Sequence, residues 1–357
     1  MQYGILLLAL AWLFGTISLL ALWDGRALSE AQVFSQEQAL SKEQAADYSP
    51  IVIAHRGASG YLPEHTLPAV TLAYAQGADF IEQDVVLSKD KIPVVLHDIH
   101  IETTTNVAQV FPKRVRDDGR YYAIDFTLAE LKQLQVNERK NINGEPAFKQ
   151  RYRGKAGFRI ATLEEQLELI QQLNRQFNRS VGWYVEIKAP AWHRKQGYDI
   201  SAVTLALLRQ YQLDAASAPL FVQCFDFEET KRLRNELKLN ARLIQLLGEN
   251  SWGGSSTDYD YLRTTKGLQA IAEVADGIGP WIPQLLFRNS HHELQSTGLT
   301  EAAHAQSLQV HPYTFRSDDM PLNATPQQLL DALFIDLKVD GIFTDFTDHV
   351  RDQIAKY

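Results

Sequence analysis

Short apolar, β-rich runs alternate with helical-period stretches from Pro50 onward, and this alternation restricts the fold more than any other feature of the chain. The runs are IVIAH (51–55), DFIEQDVVL (79–87), PVVLHD (93–98), GWYVEIK (182–188), LFVQCF (220–225), ARLIQLL (241–247), LQVHPYTF (308–315) and GIFTDF (341–346). Helix-like stretches lie between them at 66–76, 163–177, 201–211, 227–238, 261–275 and 324–338. Strands that are apolar throughout belong to a parallel sheet covered on both faces. Eight of them predict a closed (β/α)8 TIM barrel rather than an open, doubly wound sheet. The stretch from about 99 to 160 breaks the alternation and reads as an insertion after the third strand. Neither a dinucleotide-binding glycine fingerprint nor a P-loop follows the first run, which removes the nucleotide-binding α/β folds.

Nearly every run ends in polar groups that a parallel sheet would not bury for stability. The first ends His55-Arg56-Gly57, the second carries Glu82 and Asp84, and the third ends His97-Asp98. The fourth carries Glu186 and Lys188, the fifth Gln223, the seventh His311, and the last Thr344-Asp345. In a barrel of this kind all these ends open onto the face where active sites lie. Residues at i and i+2 share a strand face, so Glu82 aims with Asp84 and Glu186 with Lys188. Three converging carboxylates repel one another unless a cation lies between them, and oxygen ligands without thiolate suit Ca²⁺ or Mg²⁺. Two histidines beside such a cluster can act as acid and base near neutral pH. Arg56 and Lys188 supply fixed positive charge for a phosphoryl group. The constellation reads as metal-assisted attack on a phosphoester.

Charge and cysteine content narrow the alternatives. Thirty-five Lys and Arg against 43 Asp and Glu leave a net charge of −8, which argues against nucleic acid as a partner. Cys224 is the only cysteine, so a disulfide framework, a thiolate zinc cluster and a CxxC redox pair are all excluded. Residues 4–23, GILLLALAWLFGTISLLALW, carry no charge and are long enough to span a bilayer as a helix. No Lys or Arg precedes them and the following GRALSEA is a poor cleavage site, so residues 1–28 read as a signal peptide or an uncleaved transmembrane anchor. Residues 29–49 read as a polar tether and 50–357 as the barrel, giving an exported protein held at a membrane wherever the segment stays uncleaved.

IAHRGASGYLPEHTLPAV followed by GADFIEQDVVLSKDKIPVVLHD resembles the glycerophosphodiester phosphodiesterases, most closely their periplasmic bacterial branch. The resemblance continues through YYAIDFTLAELKQL, EIKAP, QCFD, ADGIGP, VHPYTFRSD and GIFTDF, and so spans nearly everything from Ile51 onward. It implies a (β/α)8 barrel with an inserted segment. By position it puts the catalytic histidines at His55 and His97, the metal carboxylates at Glu82, Asp84 and Glu186, and the phosphate-holding cations at Arg56 and Lys188. It implies one divalent ion, Ca²⁺ ahead of Mg²⁺, and hydrolysis of a glycerophosphodiester to sn-glycerol 3-phosphate and an alcohol. Two further readings stay open: a lysophospholipase D-like enzyme acting on lipid, and a surface binding protein or adhesin built on the same barrel.

The remaining polar residues carry weaker expectations. Glu64, in Pro63-Glu64-His65-Thr66, either caps a helix through its dipole or lines the pocket. Lys188 can pair structurally with a neighbouring carboxylate instead of holding phosphate. Asp98 is expected to orient His97. Gln223 is expected to hydrogen-bond within the site, and Trp281 to wall the pocket or pack. His311 and Asp345 read as polar residues that satisfy the rim. Cys224 alternates with Gln223 and so faces the helices, and His291-His292 reads as surface.

Overall fold

In the computed structural model, which describes residues 49–357, eleven strands form. They are β1 (Ile51–Ala54), β2 (Phe80–Leu87), β3 (Pro93–Val95), β4 (Gly182–Ile187), β5 (Leu220–Cys224), β6 (Arg242–Leu247), β7 (Gly277–Pro280), β8 (Leu286–Arg288), β9 (Leu294–Ser296), β10 (Gln309–Val310) and β11 (Gly341–Thr344). Eight run parallel in the order β10-β7-β6-β5-β4-β2-β1-β11. Backbone bonds beside the two outermost strands bring them together: Asp340 N donates to Val310 O at 3.0 Å and Phe315 N to Phe343 O at 2.8 Å. The barrel expected from the alternation is therefore present.

Its membership differs from expectation at one place. The run at 93–98 is not a barrel strand: β3 folds back antiparallel on β2, with Val95 opposite Val85, and leads into the insertion. The missing barrel strand is β7, with the sequence GIGP, which has almost no strand propensity of its own. Packing dictates its glycines. A Cβ on Gly277 would lie 2.6 Å from Gln309 O, and one on Gly279 would lie 2.5 Å from Leu246 Cδ2.

Helices cover the outside of the barrel, among them α1 (Leu67–Ala75), α2 (Leu163–Phe177), α3 (Ile200–Gln210) and α4 (Phe227–Asn235). Side-chain caps fix where all four start: Thr66 for α1, Thr162 in a capping box with Glu165 for α2, Asp199 for α3 and Asp226 for α4. Each such cap contributes about 1 kcal/mol. The helix expected over 261–275 is broken into Tyr259–Leu262 and Thr265–Ala272, and the one at 324–338 begins at Pro326.

Strand alternation divides the core. Ile81, Val85 and Leu87 of β2 pack outward against the helices. Phe80 points inward with Ile53, Tyr184, Phe221, Ile244 and Phe343, and these six side chains plug the barrel floor. The insertion has its own apolar cluster, in which Phe126, Leu131 and Leu134 pack on Val86 and Val94 of the β2–β3 arm. Among the described residues no helix is long and apolar enough to cross a membrane. The expected anchor at 1–28, and all but the last residue of the expected tether, lie outside the described residues.

Candidate active site

The polar site sits one strand step above the aromatic floor. Two residues beyond Phe80, Tyr184 and Phe221 come Glu82, Glu186 and Gln223, all on the inward face. Register aligns Asp84 with Glu186 and Glu186 with Gln223, so the carboxylates converge. Glu82, Asp84 and Glu186 are 3%, 1% and 4% exposed, and each offers an oxygen within 4.8 Å of the others.

Partners offset only part of this charge. Lys188 Nζ lies 2.6 Å from Glu186 Oε1 and 3.8 Å from Asp84 Oδ1. Gln223 Nε2 donates to Glu82 Oε1 at 2.9 Å, and the Arg56 backbone N–H donates to Glu82 Oε2 at 3.0 Å. His65 Nε2 lies 2.6 Å from Asp84 Oδ2. Asp84 Oδ1 is buried with no hydrogen-bond partner. Burial and the neighbouring Asp84 and Glu186 carboxylates push Glu82 well above the ordinary carboxylate range. Burial, opposed by Lys188 and reinforced by Asp84, pushes Glu186 up to about 8. Burial opposes ionisation of Asp84 as well, yet Lys188 and His65 hold it well below its ordinary value. Three buried carboxylates that raise one another's affinity for positive charge, one with an orphaned oxygen, are the donor set that a hard divalent cation fits.

Both candidate histidines sit on aspartates. His55 Nδ1 lies 2.6 Å from Asp345 Oδ1, and His97 Nδ1 lies 2.8 Å from Asp98 Oδ1. Each aspartate is gripped by an arginine from the insertion. Arg139 Nη1 donates to Asp98 Oδ2 at 2.7 Å, and Arg151 Nη2 donates to Asp345 Oδ2 at 2.6 Å. Arg316 Nε adds a third bond to Asp345 at 2.9 Å. Arg139 also forks onto Glu64 at 2.6 and 2.8 Å, and Glu64 in turn accepts from Arg56 Nη1 at 3.1 Å. Burial, then Arg56, pushes His55 down to about 3 against the pull of Asp345. Burial, Arg56 and Lys188 push His97 down to about 4. Both rings are neutral near pH 7, the form a general base requires.

The turn after β1 aims His55 and Arg56 together. Arg56 has φ 59° and Gly57 φ 81°, and a Cβ on Gly57 would lie 2.9 Å from the Ala69 carbonyl carbon of α1. A left-handed arginine costs about 1 kcal/mol, which the surrounding packing must offset. Its Nε is buried without a hydrogen bond, 3.5 Å from Asp84 Oδ2. His55, Arg56, Glu82, His97, Glu186 and Gln223 line a cavity of about 230 Å³ beneath Trp281 and Trp252, whose ring centroids are 5.6 Å apart. A second chamber of about 410 Å³ shares His97, Glu186, Phe225, Trp252 and Tyr313 with it, and is walled by Trp192, Pro190 and Tyr259.

The structure thus brings His55, His97, Arg56, Lys188, Glu82, Asp84, Glu186, Gln223 and Trp281 to one mouth. Four expectations change. Glu64 does not cap the helix, because Thr66 does, and its work is to join Arg56 to Arg139. Asp345 is not a rim residue, because it is 1% exposed and holds His55. His311 lies in the floor, not at the rim, and shares a hydrogen bond with the Tyr184 hydroxyl at 2.9 Å. His97 follows the β3 arm instead of a barrel strand. Cys224 packs in the core, and His291 and His292 are exposed, both as expected. Sequence reasoning does not reach His65, Arg139, Arg151 or Arg316. His65 lies in the Pro-Glu-His-Thr motif immediately before α1, and the two insertion arginines belong to a strongly basic segment, so signals for these three exist in the chain.

Residues 55–349 match the glycerophosphoryl diester phosphodiesterase family. The chain is 38% identical over 319 residues to a glycerophosphodiester phosphodiesterase of Haemophilus influenzae, covering 84% of this chain and 88% of that one. It is 37% identical over 321 residues to one of Treponema pallidum, covering 84% and 90%. A phosphodiesterase of Oleispira antarctica, solved in complex with the product sn-glycerol-3-phosphate, shares the fold with a TM-score of 0.58 at 22% identity, covering 87% of this chain and 99% of that one. The chain belongs to the glycerophosphoryl diester phosphodiesterase family.

Proposed function

We propose that this protein hydrolyses glycerophosphodiesters to sn-glycerol 3-phosphate and an alcohol, with His55 and His97 as acid and base and one divalent cation on Glu82, Asp84 and Glu186. The observation that carries this reading is the meeting of two His–Asp dyads, His55–Asp345 buried and His97–Asp98 half-buried, with a buried three-carboxylate cluster in one mouth. A cation in that cluster supplies Lewis-acid polarisation of a phosphoryl oxygen. Three carboxylates favour Ca²⁺, which accepts many oxygen ligands, over Mg²⁺, which keeps its waters.

The chain's own groups do the rest. Arg56 Nε and Lys188 Nζ hold the phosphate anion and stabilise the charge that develops on it. One neutral histidine takes the proton of the nucleophile, either water or the neighbouring glycerol hydroxyl. The other gives a proton to the departing alcohol oxygen as the P–O bond breaks. Burial, Arg56 and Lys188 together depress His97 to about 4, and a substrate anion that offsets the two cations raises its basicity toward holding the proton it donates. Water then balances the reaction, directly or by opening a cyclic phosphate.

Release of sn-glycerol 3-phosphate from glycerophosphocholine and glycerophosphoethanolamine, with Ca²⁺, Mg²⁺ or a chelator, tests this. Cation-dependent release from both substrates supports it, and no release from folded protein under any condition sinks it. The 410 Å³ chamber, with its Trp192, Trp252 and Tyr259 walls, favours one second reading: action on lysophospholipids with a bulkier leaving group. Competition by lysophospholipid for glycerophosphocholine hydrolysis separates the two. The uncharged stretch 4–23 supports export of the chain to the periplasm, with the membrane as a partner where that stretch remains attached.

A further inference from the structure

The insertion carries the opposite charge to the rest of the chain. Residues 139–159 contain seven Lys and Arg against a single acid, Glu145, in a protein of net charge −8. Among the described residues, the ion pairs of this segment run through Arg139 and Arg151 alone, to Glu64, Asp98, Asp318 and Asp345. Lys140, Lys149, Arg153, Lys155 and Arg159 are exposed. Solvation alone would account for scattered surface cations. It does not account for cations gathered around a cavity.

Lys140, Arg153 and Lys155 line a cavity of about 470 Å³, with Phe148 and Tyr152 in its walls. A Cβ on Gly154 would lie 2.2 Å from the Tyr152 hydroxyl, and that hydroxyl accepts from Ala156 N–H at 3.1 Å. Glu138 also lines the cavity, and its Oε2 is buried without a hydrogen-bond partner. Burial, opposed by Arg151, pushes Glu138 up to about 7, so near neutral pH this oxygen carries a proton much of the time. A protonated carboxyl is a donor rather than a repelling charge. Three exposed cations, together with Arg139 and one buried O–H donor around one space, call for a ligand rich in acceptor oxygens and negative charge. A phosphate group has that chemistry, whereas a metal ion would be repelled by the three cations.

We propose that this cavity is a phosphate-binding site separate from the catalytic one. Its ligand is a phosphate-bearing group from one of two sources: an anionic phospholipid head group at a membrane surface, or a free phosphate in solution. The site is joined to the catalytic mouth by its own walls. Arg139, which lines it, grips Asp98 and Glu64, and Phe148 lies under the Arg151 guanidinium at 3.5 Å, the group that grips Asp345. A phosphate held there is linked to Asp98 through Arg139 and to Asp345 through Phe148 and Arg151.

The full chain and its K140Q/R153Q/K155Q variant test this in two arms. These three side chains are exposed and line neither chamber of the catalytic mouth, so turnover of soluble glycerophosphocholine should match in the two proteins. In the first arm, binding to vesicles of phosphatidylcholine is compared with binding to vesicles containing phosphatidylglycerol. The ratio cancels whatever the apolar segment at 4–23 contributes. A lipid source predicts a phosphatidylglycerol preference that falls about 100-fold in the variant, the effect of three surface cations near an anionic leaflet. The single K155Q variant should lose about fivefold, which keeps the test available if the triple variant misfolds. In the second arm, equilibrium dialysis with inorganic phosphate counts sites. A free-phosphate source predicts two per chain, one of which the variant loses. Equal vesicle ratios together with equal phosphate counts in the two proteins would overturn the proposal.

Discussion

Asp345 holds the ring of His55 across 290 residues of sequence, with Oδ1 2.6 Å from Nδ1. Because a carboxylate accepts, Nδ1 is the protonated nitrogen and Nε2 keeps its lone pair, 3.8 Å from Glu82 Oε2. Arg151 and Arg316 take the other oxygen of Asp345 at 2.6 and 2.9 Å and prevent the carboxylate from rotating away. Asp98 repeats the arrangement for His97, with Arg139 in the place of Arg151. The insertion thus gives each dyad one clamp, Arg139 on the Asp98 that follows the β3 arm and Arg151 on the Asp345 that follows β11.

From that geometry, replacing either histidine should cost far more than loosening its clamp. His55→Ala and His97→Ala should each lower turnover by about 10²–10⁴-fold, the usual worth of a positioned acid or base. Asp345→Asn preserves shape but offers Nδ1 no fixed acceptor, and should cost about 10–100-fold in kcat with KM little altered. Its pH–rate profile should also move, a shift that a merely structural role would not produce. Steady-state kinetics across pH on the three variants, with circular dichroism to verify folding, decides the matter. A wild-type kcat in H55A would refute the assignment.

Arg139 offers a test of the clamp as a bidentate fork rather than a charge. It donates through Nε and Nη2 to Glu64 and through Nη1 to Asp98, a pattern a lysine cannot reproduce. Arg139→Lys should therefore lose at least about tenfold in kcat despite keeping its charge. Arg139→Met should destabilise the fold by about 1–3 kcal/mol, because Glu64 and Asp98 lose one partner while keeping Arg56 and His97. Denaturant titration and kinetics on the pair check this, and equal activity of the Arg139→Lys variant and the parent protein would show that charge alone suffices.

These clamps are the least legible part of the sequence. Glu82, Asp84, Glu186 and Gln223 can be placed because strand periodicity fixes which way a side chain points, and an inward-facing polar residue near a strand end has little to do there except line a site. No such periodicity governs the insertion, so Arg139 and Arg151 carry no orientation until the chain is folded. Asp345 is visible as a strand-end acid, but its partner lies on the turn after β1, and sequence does not pair side chains across neighbouring strands of a barrel. Strand β7 escapes a sequence reading for the opposite reason. Gly277 and Gly279 are selected by close approach of neighbouring strands, which overrides local propensity and leaves no hydrophobic run to read.

The carboxylate cluster predicts how pH and cation binding are linked. Without a cation, Glu186 is held at about 8 by burial, against an ordinary value near 4.3, and Glu82 is raised in the same sense. A raised carboxylate contributes stability that is present below its unfolded value and lost as pH rises through its folded value. The chelated protein should therefore lose melting temperature as pH climbs from about 5 to 8. Asp84, depressed by Lys188 and His65, acts in the opposite sense, but its contribution is complete by neutral pH. Added Ca²⁺ should restore the loss, with its largest effect at the alkaline end. It should also release protons on binding at neutral pH, measurable by calorimetry in buffers of different ionisation enthalpy. Cation binding without proton release would count against this cluster as the site.

Lys188 separates a phosphate-holding role from a structural one. Its ammonium lies 2.6 Å from Glu186 Oε1 and 3.8 Å from Asp84 Oδ1, and these carboxylates hold it above its ordinary value despite burial. A cation so placed competes electrostatically with a divalent ion for the same oxygens. If Lys188 works on substrate, Lys188→Met should cut kcat/KM by at least about 100-fold, the worth of a charged contact made to a phosphoryl group. Calcium affinity, measured directly by titration, should hold steady or tighten because the competing charge is gone. If instead Lys188 only props Glu186 in place, affinity and activity should fall together, since a carboxylate without its support would no longer point into the cluster. Measuring both quantities on one variant therefore tells the two roles apart.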